Sequence, residues 1–307
     1  MTANDVPASA PERPARLAVG VVSAGRVGAV LGAALRGAGH LLVATSGVSD
    51  ASVRRAEELL PGVPLLAPDE VVRRADLVLL AVPDDALPGL VNGLAAAGAF
   101  PAGQIVAHTC GAHGVSVLAP AVVAGVLPLA LHPVMTFTGR VEDVARLAAC
   151  SFGVTAADEP GWSVGEALVV EMGAEPVRVP EAARPLYHAA LAHGANNLAV
   201  LVRDAADALR SAGVGAPERV LGPLLSAALD NALRHGDRAL TGPVARGDAD
   251  TVRTHLRVLD EAWPELAAAY RALALRTADR AASAGLLGPD AAGAVHAALY
   301  DNSEADR

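Results

Sequence analysis

The chain of 307 residues contains no lysine: all 24 of its basic side chains are arginine. That absence excludes every mechanism built on a side-chain ammonium. There is no lysine for a Schiff base, for a phosphate-binding P-loop or for general acid catalysis. Aromatic residues are scarce at 3 %, so a core has to be packed from alanine, valine and leucine. Two cysteines, Cys110 and Cys150, are too few for a disulfide framework or a zinc site, and no metal site is expected. They fit a reducing, cytoplasmic setting. Residues 1–16 lack the apolar run of a secretory signal. The most apolar stretch, residues 115–131, is broken by Pro120, Gly125 and Pro128. It reads as a buried helix followed by a strand and not as a membrane span.

What is present points to a globular chain. Hydrophobic residues make up 52 % and charged residues 19 %, enough to bury a sizeable core in one large or two medium domains. Alanine fills 69 positions. Together with arginine in place of lysine, this is the mark of a GC-rich coding sequence, so the bias is mostly compositional. The net charge is −9 and the arginines are scattered. Both features argue against nucleic acid and anionic membrane surfaces as partners.

Residues 1–15 are expected to be a disordered tail and residues 301–307 a short tail. Between them the pattern changes once. Apolar, β-branched runs at 17–22, 41–45, 76–82, 104–108, 126–132, 152–155 and 177–179 read as strands. Helical stretches separate most of them, for example 52–60, 86–97 and 162–172. Strands alternating with helices predict an α/β domain over 16–180 with a Rossmann-type parallel, doubly wound sheet. From 181 to 300 only helices are expected, near 182–212, 217–234, 249–259, 264–284 and 289–300, so the second domain is all-helical.

The first strand is followed by Ser23-Ala24-Gly25-Arg26-Val27-Gly28, in the place of the dinucleotide-binding turn G-x-G-x-x-G. Gly25 lets the backbone approach a pyrophosphate, and Gly28 lets the helix pack closely on the sheet. The helix N-terminus supplies N–H donors and partial positive charge. Ser23 replaces the first glycine; it tolerates the turn if its φ stays negative, and its hydroxyl can donate to a phosphate. The alternative is a tight turn without a ligand. At the end of the second strand an NAD site often holds a carboxylate for the ribose diol. Here stand Thr45, Ser46 and Gly47, then Ser49, Arg54 and Arg55. Hydroxyls and guanidinium suit a 2′-phosphate, so NADP is favoured over NAD. The plain alternative for Arg54 and Arg55 is a solvated helix face, and Asp50 reads as part of a helix cap.

Several segments carry a resemblance. They are residues 23–28, Ala81-Val82-Pro83-Asp84-Asp85, His108-Thr109-Cys110-Gly111-Ala112 and Leu131-His132-Pro133-Val134-Met135-Thr136-Phe137, then Pro185-Leu186-Tyr187-His188-Ala189-Ala190 and residues 240–248. With the domain order they span about residues 16–285. The chain resembles proteins that join a Rossmann-like domain to a DUF2520 domain. More widely it resembles the 6-phosphogluconate-dehydrogenase-like reductases, among them ketopantoate and pyrroline-5-carboxylate reductases. The resemblance implies a nicotinamide-dependent reductase with an unassigned substrate, and a homodimer formed through the helical domain. Ketopantoate reductases use a lysine on the first helix of their second domain, a role this chain cannot fill.

Ligands of open α/β sheets lie outside the carboxyl ends of the strands. Val82, Pro83 and Asp84 stand at one such end and are expected beside the cofactor, with a helix N-cap as the alternative for Asp84. Thr109, Cys110 and Gly111 stand at another; Thr109 and the N–H groups around Gly111 can hold a substrate carboxylate. Reduction of a ketone or imine also needs a proton donor. The helix after residue 182 offers Tyr187, His188, His193, Asn196, Asn197 and Arg203. His188 lies about 80° from Asn196 around the helix, close enough to border one cleft. His188 is the first choice of acid, with Asn196 orienting the carbonyl. His132, held extended by Pro133, is the rival. For each histidine a satisfied, partly buried side chain is the plain alternative. Thr241 and Arg246 are candidates for an anionic substrate, or are simply loop architecture with Asp248 as a helix cap. These residues lead to an NADP(H)-dependent reductase of a small 2-oxo or imino acid, with ketopantoate as the best specific substrate. Pyrroline-5-carboxylate reduction and a non-catalytic NADP-binding sensor are the alternatives.

Overall fold

The computed structural model describes residues 16–300. The two expected tails lie outside the described residues. In chain order the elements begin with β1 (Ala18–Val22), α1 (Arg26–Gly37), β2 (Leu41–Thr45), α2 (Asp50–Leu59), α3 (Pro68–Arg73), β3 (Leu77–Leu80) and α4 (Leu87–Ala96). Then come β4 (Ile105–His108), α5 (Ala119–Val122), β5 (Leu127–Pro133), α6 (Glu142–Arg146), β6 (Ser151–Ala156), α7 (Glu159–Glu171) and β7 (Glu175–Arg178). Only helices follow among the described residues: α8 (Arg184–Ser211), α9 (Pro217–His235), α10 (Gly242–Arg246), α11 (Ala249–Ala262), α12 (Pro264–Ser283) and α13 (Pro289–Tyr300). The short helices α3, α6 and α10 were not expected. Each has five or six residues, too short for a clear apolar period.

The seven strands form one sheet in the order β2-β1-β3-β4-β5-β6-β7. Neighbours from β2 to β5 are parallel. β6 runs antiparallel to β5, with His132 opposite Gly153, and β7 is parallel to β6, so the Rossmann-type sheet is mostly parallel with one reversed pairing. A strand buried on both faces has the same apolar run in either direction, so its sequence does not record which way it runs.

Alternation along each strand feeds two cores. Val19, Val21, Leu77 and Leu79 face α1, α2 and α7 through Leu31, Leu35, Leu59 and Leu168. Val22, Val78, Leu80 and Val106 face α3, α4 and α5 through Val71, Val91, Leu94 and Ala121. The helical part has a core of its own around Val244, Val252, Leu256, Ala278 and Val295. The chain divides into two compact units, Met1–Ala195 and Asn196–Arg307. Among the described residues no helix is long and apolar enough to cross a membrane.

Candidate active site

The carboxyl ends of the parallel strands gather most of the chemistry in the first unit. After β1 the chain turns sharply into α1. Ser23 takes a left-handed conformation, with φ of 77°. The negative φ expected of it is therefore corrected: the turn imposes on serine the conformation a first glycine would adopt without strain. Two bonds to the end of β2 hold it there. The Ser23 N–H donates to Ser46 Oγ at 2.9 Å, and the Ala24 N–H to the Ser46 carbonyl at 2.7 Å. Gly28 is required by contact, because a Cβ there would overlap the Ser23 carbonyl oxygen.

This turn suits a phosphate. Gly25 is the N-cap of α1 and brings no side-chain cap, so the first N–H groups of the helix have no intrahelical acceptor. A Cβ at Gly25 would meet only Ser23 Oγ, 3.5 Å away, so the backbone is open to close approach there. Uncapped donors, the helix dipole and an open backbone are what a dinucleotide pyrophosphate needs. Ser46 and Thr45 are buried, and Thr45 Oγ1 donates to the Val21 carbonyl. Ser49 is the N-cap of α2, its Oγ accepting from the Ser52 N–H, so its hydroxyl is already employed. Asp50 is the first residue of that helix. Arg54 is exposed. Its neighbour Arg55 comes beside Gly139 together with Arg26: a Cβ at Gly139 would lie 2.7 Å from Arg55 Nε and 2.9 Å from Arg26 Cγ.

At the ends of β3 and β4 the loop 109–114 is held from several sides. Buried His108 bonds the Gly114 carbonyl through Nε2 at 2.8 Å and accepts the Cys110 N–H at Nδ1. Burial pulls its pKa down to about 4. Asp84 does not cap a helix; α4 starts from Ala86, and the Asp84 carboxylate accepts the Ala112 N–H at 3.3 Å. Cys110 Sγ contacts the Val82 carbonyl at 3.6 Å, and burial raises its thiol well above the usual range. Pro83 is exposed and Thr109 buried. Glu181 accepts the N–H groups of Val115 and Ser116, at 2.7 and 3.1 Å.

Over Gly111 stand two imidazoles. A Cβ at this position would overlap His188 Cδ2 and lie 3.0 Å from His132 Nε2. The rings of His132 and His188 meet edge to face at 5.9 Å. His132 Nδ1 is 2.9 Å from the Tyr187 hydroxyl. Burial, and next the Arg184 charge, lower the His132 pKa to about 4, so its ring is neutral at physiological pH. A neutral imidazole is a poor direct acid there, which weakens the rival role expected of His132.

Arg184 was not among the expected site residues, and Tyr187 was named on its helix without a role. Arg184 is fully buried. Its Nε donates to Thr155 Oγ1 at 2.7 Å, and its Nη2 to the carbonyls of Ala130 and Gly153 at 3.0 and 2.9 Å. Nη1 is buried without a partner among the described residues. The guanidinium carbon lies 5.6 Å from the centre of the Tyr187 ring. One sequence signal existed: an arginine as the first residue of a long helix opposes the helix dipole, so it needs another reason to be there.

The remaining expected residues lie in the second unit. Asn196 is exposed on α8. Thr241 and Arg246 are exposed at the two ends of α10, and Asp248 caps α11 through the Thr251 N–H. Among the described residues no group of three or more His, Cys, Asp or Glu could hold a metal ion. A concavity of about 660 Å³ between Gly103, Ser116, Val126 and Asp158 opens at the other end of the strands, away from the glycine turn.

The Rossmann-like domain model matches residues 1–133, and that of the domain of unknown function DUF2520 matches residues 150–277. No curated protein matches the sequence. Among solved structures, a candidate NADP oxidoreductase from Bacteroides fragilis is similar with a TM-score of 0.71 at 21 % identity, covering 85 % of this chain and 98 % of that one. A Thermotoga maritima protein reaches a TM-score of 0.64 at 19 % identity, covering 87 % and 99 %. Plasmodium falciparum pyrroline carboxylate reductase, with NADP bound, reaches 0.55 at 11 % identity, covering 91 % and 98 %. At these identities the likeness is one of fold. The chain belongs to the proteins that join a Rossmann-like domain to a DUF2520 domain.

Proposed function

We propose that the protein is a cytoplasmic NADP(H)-dependent reductase of a small 2-oxo or imino acid, with ketopantoate as the first substrate to try. One observation carries the reading. An uncapped helix N-terminus stands at the glycine turn, and a His132–Tyr187–His188 cluster stands at the ends of β4 and β5 of the same sheet. The first suits a dinucleotide pyrophosphate, the second proton delivery to a reduced carbonyl or imine. When bound, the nicotinamide supplies the hydride. The chain's own residues would hold and orient it: residues 23–28 at the pyrophosphate, and Val82 and Pro83 at the end of β3.

NADP is preferred over NAD in this reading. No carboxylate stands directly at the end of β2, and Arg26 and Arg55 come together beside Gly139. Arg55, more than Arg54, is then the guanidinium for a 2′-phosphate. The loop 109–114, with Thr109 and the N–H groups near Gly111, is the place for a substrate carboxylate. The similarity to an NADP-bound pyrroline carboxylate reductase supports an imino acid as the second substrate class.

A homodimer is part of the proposal. In the helical part, Leu198 and Leu201 on α8 and Val220, Leu224, Leu229 and Leu233 on α9 are exposed. Apolar residues on more than one side of a helix call for a covering surface. Mass measurement in solution tests this: a dimer is expected, and a clean monomer overturns it. The enzyme reading is tested by NADPH oxidation with ketopantoate, other 2-oxo acids and pyrroline-5-carboxylate. Tight NADPH binding without turnover would make the protein a sensor.

A further inference from the structure

The reductase reading leaves a choice of proton donor. We infer that Tyr187 donates the proton, that His132 aligns and reloads its hydroxyl, and that Arg184 is the fixed charge steadying the phenolate left behind. This rests on the reductase reading and adds to it a residue and a proton path.

The geometry is specific to the tyrosine. Its hydroxyl is 2.9 Å from His132 Nδ1, and the two rings meet edge to face at 5.6 Å. Gly153 of β6 makes room for it, since a Cβ there would overlap the Tyr187 hydroxyl. The Arg184 carbon lies 5.6 Å from the ring, and three hydrogen bonds from this guanidinium to β5 and β6 keep it in place. Burial raises the Tyr187 pKa while Arg184 opposes the rise, so the phenol keeps its proton at neutral pH and its anion has a nearby countercharge. The groups facing His132 are Tyr187, Arg184, His188 and Asp84. Those facing Tyr187 are His132, Arg184, Cys150 and the Gly153 backbone. His188 is the competing donor; its ring lies against Gly111 and the edge of His132.

The step balances. As hydride reaches the substrate carbon, the carbonyl π pair forms an O–H bond with the Tyr187 proton, and the phenol O–H bond breaks. The phenolate recovers a proton from His132 Nδ1–H, and His132 Nε2 takes one from solvent. The ring begins as the neutral Nδ1–H tautomer and is left as the neutral Nε2–H tautomer. Proton exchange with solvent, one gained at Nδ1 and one released from Nε2, restores it before the next turnover, and its depressed basicity disfavours the charged form in between. The net cost to solvent is one proton per turnover.

The test uses the full-length wild type and three variants: Tyr187→Phe, His132→Gln and His188→Gln. The chain has three tyrosines, Tyr187, Tyr270 and Tyr300, so protein isotope-labelled at tyrosine Cζ gives a readable magnetic resonance spectrum. Tyr187→Phe should remove one resonance and leave NADPH affinity, measured by calorimetry, within about twofold. It should lower kcat on the substrate the wild type reduces by roughly 10²–10³-fold. His132→Gln should shift the Tyr187 resonance and lower kcat. The inference is overturned if Tyr187→Phe keeps kcat within about fivefold while His188→Gln loses it. It is also overturned if His132→Gln leaves the Tyr187 resonance in place. A wild type that binds NADPH but reduces no 2-oxo or imino acid removes the reductase reading itself, and this inference with it. The wild-type assay alone separates that outcome from the other two.

Discussion

Ser23 shows how much one backbone angle matters. A left-handed φ costs a non-glycine residue about 1–2 kcal/mol, and here two hydrogen bonds to Ser46 offset it. Ser23→Gly should therefore raise the unfolding free energy by up to about 1 kcal/mol, less the entropy of the freer unfolded chain. Urea denaturation checks this, and NADPH binding should persist. Two buried histidines set a pH dependence. His108 and His132 both sink from 6.5 to about 4 in the folded chain. Between those values the unfolded chain binds more protons, so stability is present at neutral pH and lost as pH falls through the window. Each contributes a slope of up to about 1.4 kcal/mol per pH unit. Denaturation midpoints should drop from pH 7 to pH 5 in the wild type, and less steeply in His132→Gln. The sequence placed both histidines at strand ends, but a pKa depends on burial and neighbours far along the chain, which one sequence does not state.

Elements show where the sequence is legible and where it falls silent. The alternation of β and α up to residue 178 and the helices after 184 are read directly from apolar periodicity. Strand direction is not, as β6 demonstrates. The grouping at Gly111 is also hidden, because His132 comes from β5, and Tyr187 and His188 from α8, some fifty residues later. Only the fold puts them together. The segment Pro185–Ala190 carried the resemblance, yet nothing in it ranked Tyr187 above His188. Arg184 is the peg at the start of α8, filling acceptors on β5 and β6. Removing it leaves buried acceptors unpaired, so Arg184→Met should cost about 3 kcal/mol. Arg203, paired to Asp207 at 3.5 Å on the surface, is the control; Arg203→Met should change stability by less than about 0.5 kcal/mol. Equal losses in the two variants would refute the peg.

For the whole molecule, the absence of lysine is the constraint that shapes the chemistry. It denies the chain a lysine acid and directs attention to histidine, tyrosine and arginine at the ends of β4 and β5. The two-domain order follows from composition and periodicity, and the matching domain models agree with it. The substrate does not follow from either. The most direct measurement is wild-type NADPH oxidation across ketopantoate, other 2-oxo acids and cyclic imino acids, with NADH run in parallel. Turnover of at least one of them is expected, faster with NADPH than with NADH. NADPH bound tightly but oxidised by none would contradict it.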